Sequence, residues 1–138
     1  MVGLDPLAPT VLIVEDAESE RAVMRDLLEA EGIAVVAEAG DGAEAVDRAI
    51  QTRPDVVLMD LRMPAVGGIE ATRLIKEALP NTQVIILTVY EGPLPERSAE
   101  EVGAYAYLVK GCSPTLVRDV IIQARNYKTG LETRASES

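Results

Sequence analysis

Acidic side chains, a threonine and a lysine each stand directly after a short aliphatic run. Glu15 and Asp16 follow the first run, Asp60 ends the third, Thr88 the fourth and Lys110 the fifth. Carboxylates held close together repel one another strongly at low effective dielectric. Mg2+, a hard cation that takes oxygen ligands, would neutralise them. A carboxylate in such a site can also attack phosphorus and form an acyl phosphate.

Taken singly, each of these residues has an ordinary explanation. The Glu15-Asp16 pair is favourable at the start of any helix. Asp60 alone fits a loop, Thr88 alone fits a strand end, and Lys110 alone fits a solvated edge. Four matching strand ends with polar groups are an improbable coincidence, so the combination favours a functional site.

The aliphatic runs indicate five strands that are covered on both faces. They are rich in β-branched residues, continuous rather than alternating, and too short for helices. Helical patterns separate them, which predicts parallel strands. We therefore predict an α/β fold, a three-layer α/β/α sandwich with one sheet, whose ligands bind at the carboxyl ends of the strands. The runs are Val11–Val14, Ile33–Ala37, Val56–Met59, Val84–Leu87 and Tyr105–Val109.

The helical segments carry end signals and apolar faces. Asp41 followed by Glu44 resembles a capping box, and Ser113-Pro114 is an N-cap followed by proline at the first helical position. Pro93 and Pro95 weaken the helix before the fifth strand, so we expect a short one that starts near Pro95. The predicted apolar faces include Val23, Leu27 and Leu28 in the first helix, Ala43, Val46 and Ile50 in the second, and Ala71, Leu74, Ile75 and Ala78 in the third.

Composition excludes several classes of function. The 138 residues include no histidine and one cysteine, Cys112. An internal disulfide, a structural zinc site and histidine-based catalysis are therefore ruled out or very unfavourable. The net charge of −10 argues against direct binding of nucleic acid or an anionic membrane by this segment. No apolar run approaches the ~20 residues of a membrane span, so a cytoplasmic location is expected.

Four motifs in order resemble the receiver domains of two-component response regulators. The resemblance covers Thr10 to Lys128, so we predict a lead-in over 1–9, a receiver domain over 10–128, and a flexible tail or start of a linker over 129–138. It implies a flavodoxin-like sheet with strand order 2-1-3-4-5. The Lys-Gly pair and the flanking segments are most similar to regulators with a LuxR-type helix-turn-helix domain. The motifs are Val11–Asp16, Val56–Pro64, Val84–Thr88 and Tyr107–Gly111, with Asp41–Ala45 and Gly67-Gly68 fitting the same pattern.

The resemblance implies a role for each acidic residue. Asp60 would accept a phosphoryl group from a phosphohistidine on a sensor histidine kinase. Mg2+ would be held by Asp16, Asp60 and the backbone carbonyl of Arg62, with Glu15 often acting through water. The domain would catalyse only its own phosphoryl transfer and dephosphorylation, so it would not be a turnover enzyme.

The same resemblance implies the residues of a switch. Lys110 and Thr88 would contact the phosphoryl group, and Thr88 would couple to Tyr107, whose ring turns between outward and inward positions. Arg62 and Tyr90 flank the pocket, and we expect them to tune the lifetime of the phosphate.

Partners and output follow from the resemblance as expectations. The partner would be a sensor histidine kinase, with transcription as the output and DNA bound through another domain. A homodimer would use the last helix and the fifth strand, whereas Pro93 and Pro95 are expected to disturb the helix that helps form the usual output surface. Gly111 stands where many receivers have a proline, so we expect no cis-proline there. An alternative is a stand-alone or degenerate receiver that serves as a protein-interaction adaptor.

Two other classes of α/β protein fit less well. An aspartyl-phosphate phosphohydrolase needs a second aspartate two residues after the nucleophile, where this chain has Arg62. A nucleotide- or flavin-binding module needs a glycine-rich loop after the first strand, where Glu15 and Asp16 stand instead.

Overall fold

The computed structural model describes residues 7–63 and 66–137, in which five strands alternate with five helices. The strands are β1 (Thr10–Val14), β2 (Ala34–Ala39), β3 (Val56–Met59), β4 (Gln83–Thr88) and β5 (Ala106–Val109). The helices are α1 (Glu18–Ala30), α2 (Gly42–Thr52), α3 (Gly68–Ala78), α4 (Pro93–Glu101) and α5 (Pro114–Glu137).

The strands form one parallel sheet in the order β2-β1-β3-β4-β5. This confirms the predicted α/β/α sandwich, its flavodoxin-like topology and its strand order. Because β2 lies on one side of β1 and β3 on the other, the chain changes direction across the sheet at β1 and β3. Ligands of open parallel sheets bind at this kind of switch point, outside the carboxyl ends of the strands.

Two apolar clusters cover the two faces of the sheet. Leu12 and Val14 of β1 face α2, α3 and α4, whereas Val11 and Ile13 face α1 and α5. All four side chains are at most 2% exposed. Burial on both faces explains why the strands are continuous aliphatic runs, and each such side chain stabilises the fold by about 1.5–3 kcal/mol.

Two of the predicted helix starts are confirmed in detail. The Asp41 carboxylate accepts a hydrogen bond from the Glu44 amide at 2.8 Å. The Ser113 hydroxyl accepts one from the Leu116 amide at 3.1 Å, and Pro114 occupies the first position of α5. These side chains bond backbone donors that have no partner within their own helix.

The predicted apolar faces of α1 and α2 were only partly right. Val23 is 58% exposed and Leu27 38% exposed, so Leu28 is the buried residue of α1. In α2, Ile50 is 46% exposed, and the buried side chains are the alanines Ala45 and Ala49. Helix α2 packs against α3, and its buried alanines have small side chains that suit close packing. The helical periodicity of the sequence does not show where such a contact will form.

Helix α4 begins at Pro93, two residues earlier than predicted, and it is short, with nine residues. Both prolines lie in its first turn, where backbone amides have no partner within the helix. Gly92, which precedes the helix, has φ +116°, a conformation that favours glycine. The prolines therefore start this helix and do not break it.

The last helix continues where the sequence predicted a loose tail. Helix α5 runs to Glu137, so residues 129–137 are helical. Lys128 anchors this extension: its ammonium lies 3.3 Å from the Asp55 carboxylate and 3.1 Å from that of Glu132. Residues 1–6, most of the predicted lead-in, lie outside the described residues. At residue 7, the Leu7 carbonyl accepts a hydrogen bond from the side chain of Arg125.

Candidate functional site

Three carboxylates meet at the carboxyl ends of β1 and β3. One oxygen each from Glu15, Asp16 and Asp60 lies within 4.8 Å of the others. Val14 pairs with Met59 at the last position of the β1–β3 register, and the Asp60 amide donates to the Val14 carbonyl at 3.1 Å. Glu15 and Asp60 are only 6% and 3% exposed, whereas Asp16 is exposed. The register of two parallel strands therefore brings together residues 45 positions apart in the chain.

Lys110 reaches the same cluster from the end of β5. Its ammonium lies 3.0 Å from an Asp60 oxygen and 2.7 Å from a Glu20 oxygen, and it also donates to Glu15. The Lys110 amide donates to the Thr88 carbonyl at 2.8 Å, which extends the pairing of β4 and β5 up to the site. Gly111 follows with φ +103°, so a residue that tolerates this conformation turns the chain toward α5.

The crowding of acids changes how the site titrates. Burial raises the pKa of Glu15 to about 7, with Glu20 adding to the rise and Lys110 opposing it. The pKa of Glu20 falls to about 2, because it shares hydrogen bonds with Glu15 and Lys110. Burial disfavours the charge of Lys110, but bonds to Glu15, Glu20 and Asp60 raise its pKa above the ordinary lysine value. The site therefore favours the protonated form of Glu15 more than water does, as expected where carboxylates outnumber cations.

Thr88, the last residue of β4, is fully buried. Its hydroxyl oxygen has no hydrogen-bond partner among the described residues. A buried hydroxyl without a partner costs about 1–3 kcal/mol, so such a group is unusual in a folded core. The hydroxyl is thus a free donor on the strand that lies between β3, with Asp60, and β5, with Lys110.

The other predicted residues lie around this centre. The Arg62 amide donates to an Asp60 oxygen at 3.1 Å, while the side chain of Arg62 is exposed. The Tyr107 hydroxyl donates to the Tyr90 carbonyl at 2.7 Å, which ties β5 to the loop after β4. Tyr107 is half-buried and Tyr90 is 46% exposed. In the β4–β5 register Tyr107 pairs with Ile86, two residues before Thr88.

A close backbone approach holds the loop after β3. A Cβ atom on Gly68, the first residue of α3, would lie 2.4 Å from the Asp60 carbonyl oxygen. Only glycine leaves room for this contact, so the backbone at the start of α3 packs directly against the segment that carries Asp60.

Sequence analysis missed two residues that contact the site. Glu20 reaches Lys110 from the first turn of α1, and Arg21 donates to the Glu15 carbonyl at 2.7 Å. Arg21 also pairs with Glu38 of β2 at 3.0 Å, so it ties the loop after β1 to the neighbouring strand. The acidic residues after Asp16 could have indicated that a further carboxylate lies close to the site. However, the sequence does not show which of Glu18 and Glu20 faces a lysine some 90 residues away.

The donor set fits Mg2+. The carboxylates of Glu15, Asp16 and Asp60 cluster together, and Glu15 and Asp60, with Glu20, pair with the Lys110 ammonium. Oxygens bound to one octahedral Mg2+ are about 3 to 4 Å apart, so the three clustered oxygens need only a small contraction. Exposed Asp16 is free to make that movement. The buried hydroxyl of Thr88 and the ammonium of Lys110 would suit the oxygens of a phosphoryl group.

A cleft of about 420 Å³ opens beside the cluster, between α1 and the start of α5. Its lining includes Glu15, Asp60 and Lys110 together with apolar side chains such as Val23 and Leu27. The site is therefore accessible from this side of the sheet. No helix in residues 7–63 and 66–137 is long and apolar enough to span a bilayer.

The fold, the three clustered carboxylates and the lysine at the end of β5 together define a class of protein. Comparison with known proteins identifies that class. The sequence profile of the response regulator receiver domain matches residues 11–122. The chain belongs to the family of response regulator receiver domains of two-component systems.

Similar proteins include response regulators from several bacteria. UvrY of Escherichia coli (strain K12) is 42% identical over 129 residues, which cover 92% of this chain and 57% of UvrY. GacA of Pseudomonas aeruginosa is 41% identical over 103 residues, which cover 73% of this chain and 48% of GacA. The chain thus spans about half the length of these curated relatives.

Solved structures of response regulators have a similar fold. A LuxR-family two-component response regulator from Aurantimonas sp. SI85-9A1 has a TM-score of 0.80 and 36% identity, with 86% of each chain covered. A receiver domain protein from Clostridium thermocellum has a TM-score of 0.83 and 30% identity, with 91% of this chain and 99% of that chain covered.

Proposed function

We propose that this receiver domain accepts a phosphoryl group on Asp60 in a Mg2+-dependent reaction. The observation that carries the proposal is the position of Asp60. Its carboxylate is buried, lies 3.0 Å from the Lys110 ammonium, and shares a cluster with Glu15 and Asp16. A buried carboxylate beside a cation site and a free hydroxyl has the parts that phosphoryl transfer requires, namely a nucleophile and stabilisation of charge.

In the proposed step, an oxygen of Asp60 attacks phosphorus in a phosphohistidine. The new O–P bond forms as the P–N bond breaks, and the electron pair returns to the imidazole nitrogen. Lys110 and Thr88 stabilise the transferred oxygens, while the Arg62 amide holds the carboxylate of Asp60 in place. Mg2+, held by Glu15, Asp16, Asp60 and the Arg62 carbonyl, would neutralise charge on the phosphoryl oxygens.

Thr88 and Tyr107 form the proposed switch. A phosphoryl group adds about −1.5 to −2 charge and strong acceptor oxygens, which would draw the Thr88 hydroxyl toward Asp60. Tyr107, which packs against the core cluster and donates to the Tyr90 carbonyl, would turn between its outward and inward positions and change the surface around β5. The two arrangements differ in their contacts with the phosphoryl group, as a population shift requires. Arg62 and Tyr90, at the rim, would tune the lifetime of the acyl phosphate.

We also propose a sensor histidine kinase as the phosphoryl donor, a cytoplasmic location for this domain and transcription as the output. Support comes from the relatives, which include response regulators and the Transcriptional regulatory protein LnrK of Bacillus subtilis. DNA binding would require another domain, because this chain carries a net charge of −10. A dimer through β5 and α5 is a further expectation, consistent with the partial exposure of every β5 residue. The domain would catalyse its own phosphorylation and dephosphorylation without turning over other substrates.

The test is phosphorylation with a small acyl-phosphate donor in the presence of Mg2+, followed by intact mass measurement. The wild-type protein should gain one phosphoryl group that is lost in alkali. Asp60→Asn should gain none, because the amide nitrogen and oxygen are poor nucleophiles. Asp47→Asn, which removes an exposed carboxylate of α2, is the matched control and should be phosphorylated like the wild type.

Chelation of Mg2+ should also prevent the gain of mass. If neither small donors nor a kinase phosphorylated the wild-type protein, the degenerate, adaptor-like receiver would be the better explanation. An adduct that persists in Asp60→Asn would assign the phosphoryl group to another residue.

A further inference from the structure

Glu20 has no part in the proposed transfer, yet it contacts the lysine on which the transfer depends. An ammonium has three N–H donors. In this structure Glu15, Glu20 and Asp60 each accept a hydrogen bond from Lys110. The donors of Lys110 are therefore fully committed before any phosphoryl group arrives.

A phosphoryl group on Asp60 would need at least one of those donors. The side chains of Glu15 and Asp60 are 8% and 2% exposed, so water cannot easily replace Lys110 beside them. The side chain of Glu20 is 52% exposed, so water can solvate its carboxylate once the contact with Lys110 breaks. Of the three partners, Glu20 is the one whose release costs least.

We propose that Glu20 is a positioning residue that latches Lys110 in the unphosphorylated site and competes with the phosphoryl group for it. This inference rests on the proposed function and adds a regulatory element to the same site. Because Glu20 acts through Lys110, its effect depends on contact. A carboxylate that is nearby but unable to reach the ammonium would not reproduce it.

Beryllofluoride, a non-covalent analogue of the phosphoryl group, provides the test. It would be titrated calorimetrically into Mg2+-saturated protein, with the Mg2+ affinity of each variant measured first. Glu20→Gln should bind the analogue about two- to five-fold more tightly, the range expected for loss of a partly exposed ion pair. Glu20→Asp keeps the charge but shortens the side chain by one methylene, which should weaken the contact with Lys110 and shift the affinity in the same direction as Glu20→Gln.

Glu18→Gln is the matched control, because Glu18 is exposed in the same turn of α1 and its substitution changes the net charge equally. It should leave the affinity unchanged. Equal affinities for Glu20→Gln and wild type would overturn the latch. So would equally tighter binding by Glu20→Gln and Glu18→Gln, since that pattern is general charge repulsion. If no variant, wild type included, bound the analogue, the proposed function would fail together with the latch.

Discussion

Replacing Thr88 with valine should stabilise the unphosphorylated protein and at the same time weaken its response to phosphorylation. Thr88 is 0% exposed, and its hydroxyl has no partner among the described residues. Valine has nearly the same shape and removes the hydroxyl. The desolvation penalty of that group, about 1–3 kcal/mol, should then disappear. We expect a net stabilisation of about 1–2 kcal/mol.

Urea unfolding in Mg2+-free buffer measures the effect. The midpoint should rise with an unchanged m-value, which shows that the folded state was stabilised without a change in the surface exposed on unfolding. In a thermal scan the gain should be roughly 4 °C per kcal/mol for a chain of this size. Thr88→Ser is the control: it keeps the hydroxyl and loses a methyl, so it should destabilise by about 1 kcal/mol.

The second half of this prediction concerns function. Beryllofluoride with Mg2+ should raise the melting temperature of the wild type by more than that of Thr88→Val, because only threonine can donate to the analogue. A Thr88→Val protein that is less stable than the wild type by 1 kcal/mol or more, at equal m-value, would refute the reasoning. Such a result would mean that the hydroxyl is already satisfied in the unphosphorylated fold.

Three further predictions follow from the site and its supports. The pKa of Glu15 is raised to about 7 from 4.5, so the folded protein keeps a proton that the unfolded chain loses. In metal-free buffer, the free energy of unfolding in urea should therefore fall as pH rises from about 4.5 to 7. The slope should be at most about 1.4 kcal/mol per pH unit. The lowered pKa of Glu20 affects stability only below this pH range. A flat profile there would contradict the assignment. Gly68→Ala should destabilise by about 1–3 kcal/mol in the same assay, because its Cβ would lie 2.4 Å from the Asp60 carbonyl; unchanged stability would show that the loop yields freely. Lys128→Ala should speed amide hydrogen exchange beyond residue 129, with a global loss of no more than about 1 kcal/mol, whereas unaltered exchange would mean that the Asp55 contact does not anchor α5.

The sequence alone determined those features that depend on near neighbours or on topology. The caps of Asp41 and Ser113 involve residues three positions away, so their chemistry is visible in a short segment. The alternation of aliphatic runs with helical patterns is enough to predict a parallel sheet. In such a sheet the carboxyl ends of the strands share one edge, which explains why the meeting of Asp60 and Lys110 could be predicted.

Tertiary structure decided what depends on the packing of distant elements. Glu18 and Glu20 are both acidic residues of the same helical turn, and only the packing of α1 against β1, β2 and α5 places Glu20 beside Lys110. The exposure of Val23 and the helical extension beyond Lys128 likewise depend on neighbours far away in the chain. The unpartnered hydroxyl of Thr88 is the clearest case. A threonine at a strand end is ordinary in sequence, and only the surrounding side chains determine whether its oxygen has a partner.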